Sequence, residues 1–175
     1  MRLEPLTKED VDQSISELVA SYGSFETWIG YAGHHPDLTK AIFDLLKAQK
    51  QSSVLPADIV ELASVTVSLC NQCQYCVYQH SSKALGIGIS QDQLDGILDE
   101  SAKDLFDARS WKVVQYAKAV TQDVHSLRFP VLEALKKDWS PQQLVELTWR
   151  IAFMNAFNRF NDALGIPPEK LHLEP

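Results

Sequence analysis

The stretch ADIVELASVTVSLCNQCQYCVYQHSSKALG, residues 57–86, decides the fold of this 175-residue chain. Its first half invites two readings. SVTVSL, residues 64–69, is rich in β-branched side chains and would suit a strand, but no hairpin partner with turn residues stands beside it. Pro56 opens the segment, and its apolar residues up to Cys70 are too dense for one amphipathic stripe. The pattern therefore predicts a central helix buried on most sides. A second helix runs on to Leu85, where Gly86 and Gly88 supply the stop that a helix C-terminus takes. Between the two a break at Cys70 to Gln72 is expected, because Asn71 with Gln74 three residues later resembles a capping box. Such a box would put Cys73 at the second helical position, near the positive end of the helix dipole, and Cys76 in the second turn.

Outward from this core the periodicity stays helical. Val11, Ile15, Leu18, Val19 and Tyr22 follow one helix face, and Leu38, Ile42, Leu45 and Leu46 repeat the pattern after the His34-His35-Pro36 break. Ser90 reads as the N-cap of a short helix from Gln91 to Glu100 that carries Leu94, Ile97 and Leu98. Trp111, Val114, Ala117 and Val120 mark another helix that ends before Pro130, and Val131 to Lys137 make a short one. Ser140-Pro141 starts a long last helix that Gly165, Pro167 and Pro168 terminate. The expected fold class is all-α: one domain over residues 1–175, a helical bundle of roughly seven or eight helices. Residues 1–50 are its N-terminal helices, 54–90 its core and 166–175 its tail, with no internal repeat, low-complexity tract or dividing linker.

Composition narrows the partners. With 16 Lys+Arg against 23 Asp+Glu, a formal net charge of -7 and no basic block, nothing would draw the chain to a phosphate backbone, so no nucleic-acid partner is expected. No run of about eighteen apolar residues is present to span a membrane, and residues 1–14 lack the apolar centre of a secretory signal. A soluble, cytoplasmic protein is expected. All three cysteines lie within residues 70–76, which is unlike the spaced, even set of a disulfide-stapled secreted scaffold. The cluster points to redox chemistry or to metal.

Cys73 and Cys76 are three apart, so on a helix they share a face and a disulfide is reachable with modest adjustment. His80, four residues after Cys76, brings a proton acceptor to the same face. A base or a helix N-terminus favours the thiolate, which is the reactive form. In one unbroken helix Glu61 would stand about 18 Å of helical rise from Cys73. The expected break lets two antiparallel helices return Glu61 toward the cysteines, as the acidic end of a proton relay through His80 or water. Zinc is the alternative, with Cys70, Cys73, Cys76 and His80 as four ligands, of which only Cys70 could close a shell from outside the second helix.

Glu61, Cys73, Cys76 and His80 make the pattern E-x11-C-x2-C-x3-H, which resembles the carboxymuconolactone decarboxylase / alkylhydroperoxidase D superfamily, and CQYC-x3-H is similar to that family's usual CxYC wording. The resemblance covers roughly residues 54–90, including LGIGIS, and returns more loosely in NAFNRFNDALGIPPE, residues 155–169, which resembles peroxidase-related members. It implies an all-α fold assembled as a homo-oligomer, trimer or hexamer. It implies a thiol-dependent peroxidase or disulfide reductase whose oxidant is a hydroperoxide or a disulfide and whose reductant is a lipoamide-like or thioredoxin-like dithiol, with no cofactor and no metal. Glu61 and His80 would form the relay, Cys76 the relay-activated thiol and Cys73 its disulfide partner. Tyr75 stands where alkylhydroperoxidase D members carry a second histidine, and members that decarboxylate lactones lack the cysteine pair. A general acid/base enzyme acting on a small lactone through Glu61 and His80 remains the other enzymatic alternative.

Other features have plainer readings. Cys70 is expected to pack at the end of the central helix. His34, His35 and His125 are expected on the surface beside loops. In the last helix Asn155, Asn158, Arg159, Asn161 and Asp162 read as a solvated face with an Arg159–Asp162 pair, and Phe153, Phe157 and Phe160 as its apolar side. The acidic run from Asp92 to Asp107 reads as solvated surface, and the four tryptophans as packing residues.

Overall fold

The computed structural model describes residues 3–125 and 130–169. The described residues form nine α-helices and one 3-10 helix and contain no strand, somewhat more elements than the seven or eight expected. Residues 170–175 of the expected tail lie outside the described residues. By internal packing the chain divides into two compact units, Val54–Phe160 and Met1–Ser53 with Asn161–Pro175.

The unit with the N-terminal residues holds α1 (Gln13–Tyr22), α2 (Thr27–Ala32) and α3 (Pro36–Gln51). Asp12 caps α1 by accepting from the Ser14 amide, and Gly23, at φ 111, ends it in the left-handed turn that glycine adopts without penalty. The α2 helix has no counterpart in the periodicity, because five of its six residues, Trp28 to Ala32, are buried and a fully buried turn shows no stripe. The Glu169 carboxylate accepts from the backbone and the hydroxyl of Thr27 at the start of α2. Along α3 the buried residues are Thr39 and Phe43, whereas Leu38 is 60 % exposed. The apolar spacing there marks a neighbouring face. Thr39 passes for polar in sequence yet is buried because its hydroxyl donates to the Ala32 carbonyl at 2.6 Å.

The unit Val54–Phe160 is built on α4 (Ala57–Asn71), which packs against α5 (Gln74–Gly86) and α7 (Ala108–Gln122). Residues 62–68 are all buried, so α4 is enclosed on every side. The strand reading fails because Ser64, Thr66 and Ser68 return their hydroxyls to the carbonyls four residues back, which satisfies them inside a helix. Ser90 caps α6 (Gln91–Gly96) with a reciprocal capping box to Gln93. That helix stops four residues short of the expected Glu100, and a 3-10 turn at Glu100–Leu105 follows, leaving Leu98 exposed. Asp107 caps α7. Leu62, Val65, Ala84, Leu94, Ile97, Phe106, Trp111 and Val114 form the hydrophobic core of this unit. After α8 (Pro130–Leu135), α9 (Pro141–Leu164) contributes its residues up to Phe160, and Ser140 and Gln143 exchange side-chain and backbone bonds at its start. No helix among the described residues is long and apolar enough to cross a membrane.

Candidate active site

The site grows from the way α4 ends. The chain leaves the helix at Gln72, whose φ of 58 makes it the one non-glycine residue in the left-handed region among the described residues. The Gln72 amide donates to the Leu69 carbonyl at 3.1 Å and the Cys73 amide to the Ser68 carbonyl at 3.0 Å, the bond pair of a Schellman turn. The break thus falls at Gln72–Cys73, at the C-terminal edge of the expected Cys70 to Gln72. Cys73 becomes the N-cap of α5, one step outside the helix instead of at its second position, and Cys76 lies in the first turn instead of the second. The Asn71–Gln74 capping box does not form, because Asn71 is still the last residue of α4 and Cys73 takes the N-cap position of α5.

The turn folds α5 back along α4, and the consequence is one short bond: His80 Nδ1 lies 2.7 Å from Glu61 Oε2, with both side chains 17 % exposed. With Nδ1–H donating to the carboxylate, the lone pair of the ring is on Nε2. His80 stands one helical turn after Cys76 on α5, a spacing that puts the two on one face of that helix. All three cysteines are thiols. Cys73 and Cys76 are 0 % and 2 % exposed, and Tyr75 between them is buried as well. Cys70 sits half-buried in the last turn of α4, where burial pushes its thiol up and the Lys118 ammonium offsets this only in part. Among the described residues no group of three or more His, Cys, Asp or Glu is arranged to hold a metal ion. A cleft of about 370 Å³ opens between Asp58, Leu62, Ile87, Gln93, Phe106 and Ser110, and neither Cys73 nor Cys76 lines it.

Asparagines that the sequence pattern misassigns lie next to the thiol turn. Asn71 Nδ2 donates to Asn155 Oδ1 at 3.0 Å and to Asn158 Oδ1 at 2.9 Å. Asn158 is fully buried, and its own Nδ2 reaches Ser68 Oγ at 3.3 Å and Met154 Sδ at 3.4 Å. Asn155 donates to Thr121 Oγ1 at 3.0 Å, and Arg159 Nη1 donates to Asn155 rather than pairing with Asp162. Asn158 and Asn161 are buried and Asn155 half-buried, so this part of the polar face of α9 is an amide network, whereas Arg159 and Asp162 are exposed as expected. The signal was there in the three-residue spacing of Asn155 and Asn158, which aligns two amides on one face.

Residues 36–119 match the model of the carboxymuconolactone decarboxylase family. Over that stretch the chain is similar to the carboxymuconolactone decarboxylase family. Its similarity to the uncharacterized protein YdfG of Bacillus subtilis (strain 168) is 24 % identity over 139 residues, 78 % of this chain and 93 % of that protein. In fold it is similar to the alkylhydroperoxidase AhpD core of an uncharacterized peroxidase-related protein from Ralstonia eutropha JMP134, with a TM-score of 0.82 at 21 % identity over 97 % of this chain and 92 % of the other. The debrominase Bmp8 shares the fold at a TM-score of 0.80 and 20 % identity, covering 94 % and 90 % of the two chains. The same fold thus carries proteins of differing descriptions, and the activity has to be argued from the side chains.

Proposed function

We propose that the chain is a thiol-dependent oxidoreductase, a peroxidase or disulfide reductase that cycles the Cys73–Cys76 pair under a Glu61–His80 proton relay. The observation that carries this reading is the 2.7 Å bond between His80 and Glu61, one helical turn from a cysteine of a buried CxxC. An imidazole oriented by a carboxylate is a general base aimed by its second nitrogen, and such bases contribute about 10²–10⁴-fold.

In the first step His80 Nε2 takes the Cys76 proton and Glu61 steadies the resulting imidazolium. The thiolate attacks the terminal oxygen of a hydroperoxide; an S–O bond forms, the O–O bond breaks, and the alkoxide leaves as an alcohol with the proton returned by His80. Cys73 then attacks the Cys76 sulfenic acid, the S–S bond forms and water leaves. A lipoamide-like or thioredoxin-like dithiol reverses the bond by exchange through a mixed disulfide, departing as its own disulfide and leaving two thiols. The near-complete burial of both sulfurs favours a small hydroperoxide over a folded protein as the oxidant. A trimeric or hexameric assembly belongs to the same reading, and sedimentation would give three or six times the chain mass.

The test is mass spectrometry of the protein before and after one equivalent of hydroperoxide. The expected result is a Cys73–Cys76 bond that a dithiol reverses. If neither sulfur is oxidised, while Cys73→Ser/Cys76→Ser protein still turns over a small lactone, the acid/base alternative through Glu61 and His80 takes its place. Trapping the sulfenic acid in each single Cys→Ser variant decides the order of attack.

A further inference from the structure

We propose that Asn71 is a positioning residue for the resolving thiol: tied to Asn155 and Asn158, it holds the left-handed turn at Gln72 that sets Cys73 beside Cys76. The inference rests on the redox reading above.

The turn needs holding. Where α4 ends the sequence offers neither glycine nor proline, and a side chain with a Cβ adopts the left-handed region only at an energetic cost. Gln72 nevertheless sits there at φ 58. Two backbone bonds close the turn, from Gln72 to Leu69 and from Cys73 to Ser68. Each is the ordinary exchange of water for a carbonyl, with a modest net gain. The Asn71 bracket adds two directional bonds from the residue immediately before the turn to two carbonyl oxygens on α9. Ser68 joins both systems: its carbonyl receives the Cys73 amide while its hydroxyl receives the Asn158 amide. Whatever moves the bracket moves the residue that anchors Cys73.

Three asparagines are an expensive way to hold two helices together, since a buried amide gains little over an apolar side chain and costs much when a partner is lost. What amides add is direction. They specify the residue at which α4 stops, and one residue of slippage there would turn Cys73 by about 100° about the helix axis, at 3.6 residues per turn. For the sulfur that must reach Cys76 within bonding distance, that displacement matters more than the stability of the helix pair, because intramolecular rates depend steeply on alignment.

The experiment reads the partition after oxidation. Protein is treated with one equivalent of hydroperoxide in the presence of dimedone, and mass spectrometry counts Cys76 trapped as sulfenic acid against Cys76 joined to Cys73. Asn71→Ala is expected to raise the ratio of trapped to joined about tenfold, as misalignment slows closure. Asn155→Ala, which removes one arm of the bracket, is expected to raise it less and serves if the first variant folds poorly. Adding Gln72→Gly to Asn71→Ala is expected to bring the ratio back, since glycine occupies the left-handed region unaided. Urea denaturation runs alongside, because a purely structural residue would lower the midpoint without changing the partition. An unchanged ratio in folded Asn71→Ala and Asn155→Ala proteins, or a raised ratio that Gln72→Gly leaves raised, overturns the assignment while the redox reading stands. Wild-type protein in which neither trapped nor joined Cys76 forms overturns both.

Discussion

His80 has two ring nitrogens, and the bond from Nδ1 to Glu61 settles which one can serve a thiol. Glu61→Gln keeps the size of that partner and removes its charge. Oxidation of the pair by hydroperoxide, followed by quench and mass spectrometry, is expected to slow about tenfold in Glu61→Gln and about 10²-fold in His80→Gln, where the base itself is gone. Equal rates in all three proteins would remove the relay. Burial holds the Cys70 thiol above the ordinary range and keeps it protonated at neutral pH. Cys70→Ser should leave the rate and the product of oxidation unchanged, and a disulfide to Cys70 in wild-type protein would contradict that.

At the scale of elements, helix ends carry the specificity. Replacing Gln72 by glycine relieves a left-handed penalty of roughly 1–2 kcal/mol and adds about 0.5–1 kcal/mol of chain entropy in the unfolded state. The first exceeds the second. Gln72→Gly is therefore expected to raise stability by about 0.5–1 kcal/mol in urea denaturation. Asp107 works at the other end of a helix: its carboxylate accepts from the amides of Arg109 at 2.8 Å and Ser110 at 3.0 Å and from the Ser110 hydroxyl at 2.6 Å. Asp107→Ala should cost about 1 kcal/mol in the same assay, the usual loss for an N-cap.

At the scale of the whole molecule, these groups shape the response to pH. The Ser110 hydroxyl, followed by its amide, holds the Asp107 carboxyl below its ordinary range, and the Lys118 ammonium does the same for Glu100. Groups lowered on folding stabilise above the ordinary carboxylate range and lose that contribution as pH falls through their folded values. Cys70 is raised on folding, so its contribution is complete below its ordinary 9.0 and is lost as pH rises beyond it. Urea midpoints measured across pH should fall at both ends. Cys70→Ala should flatten only the alkaline limb, and an unchanged limb would contradict the assignment to Cys70.

Much of this protein was already legible in the order of its residues, and the reason is local. Helical periodicity, the Ser90 and Ser140 caps and the spacing of Cys73, Cys76 and His80 depend on neighbours within a turn or two, and local chemistry is written along the chain. Where a polar residue finds its partner is not. Asn158 reads as solvated until Asn71 and Ser68 arrive from residues 87 and 90 positions away, Thr39 reads as polar until the Ala32 carbonyl takes its proton, and Leu38 reads as core until burial falls on Phe43. The start of α5 lies two residues later than its capping pattern suggests, with Cys73 rather than Asn71 at the N-cap, while Asn71 reaches across space to Asn155 and Asn158. Tertiary structure decided which amides were satisfied at a distance, and through them where the thiol turn lies.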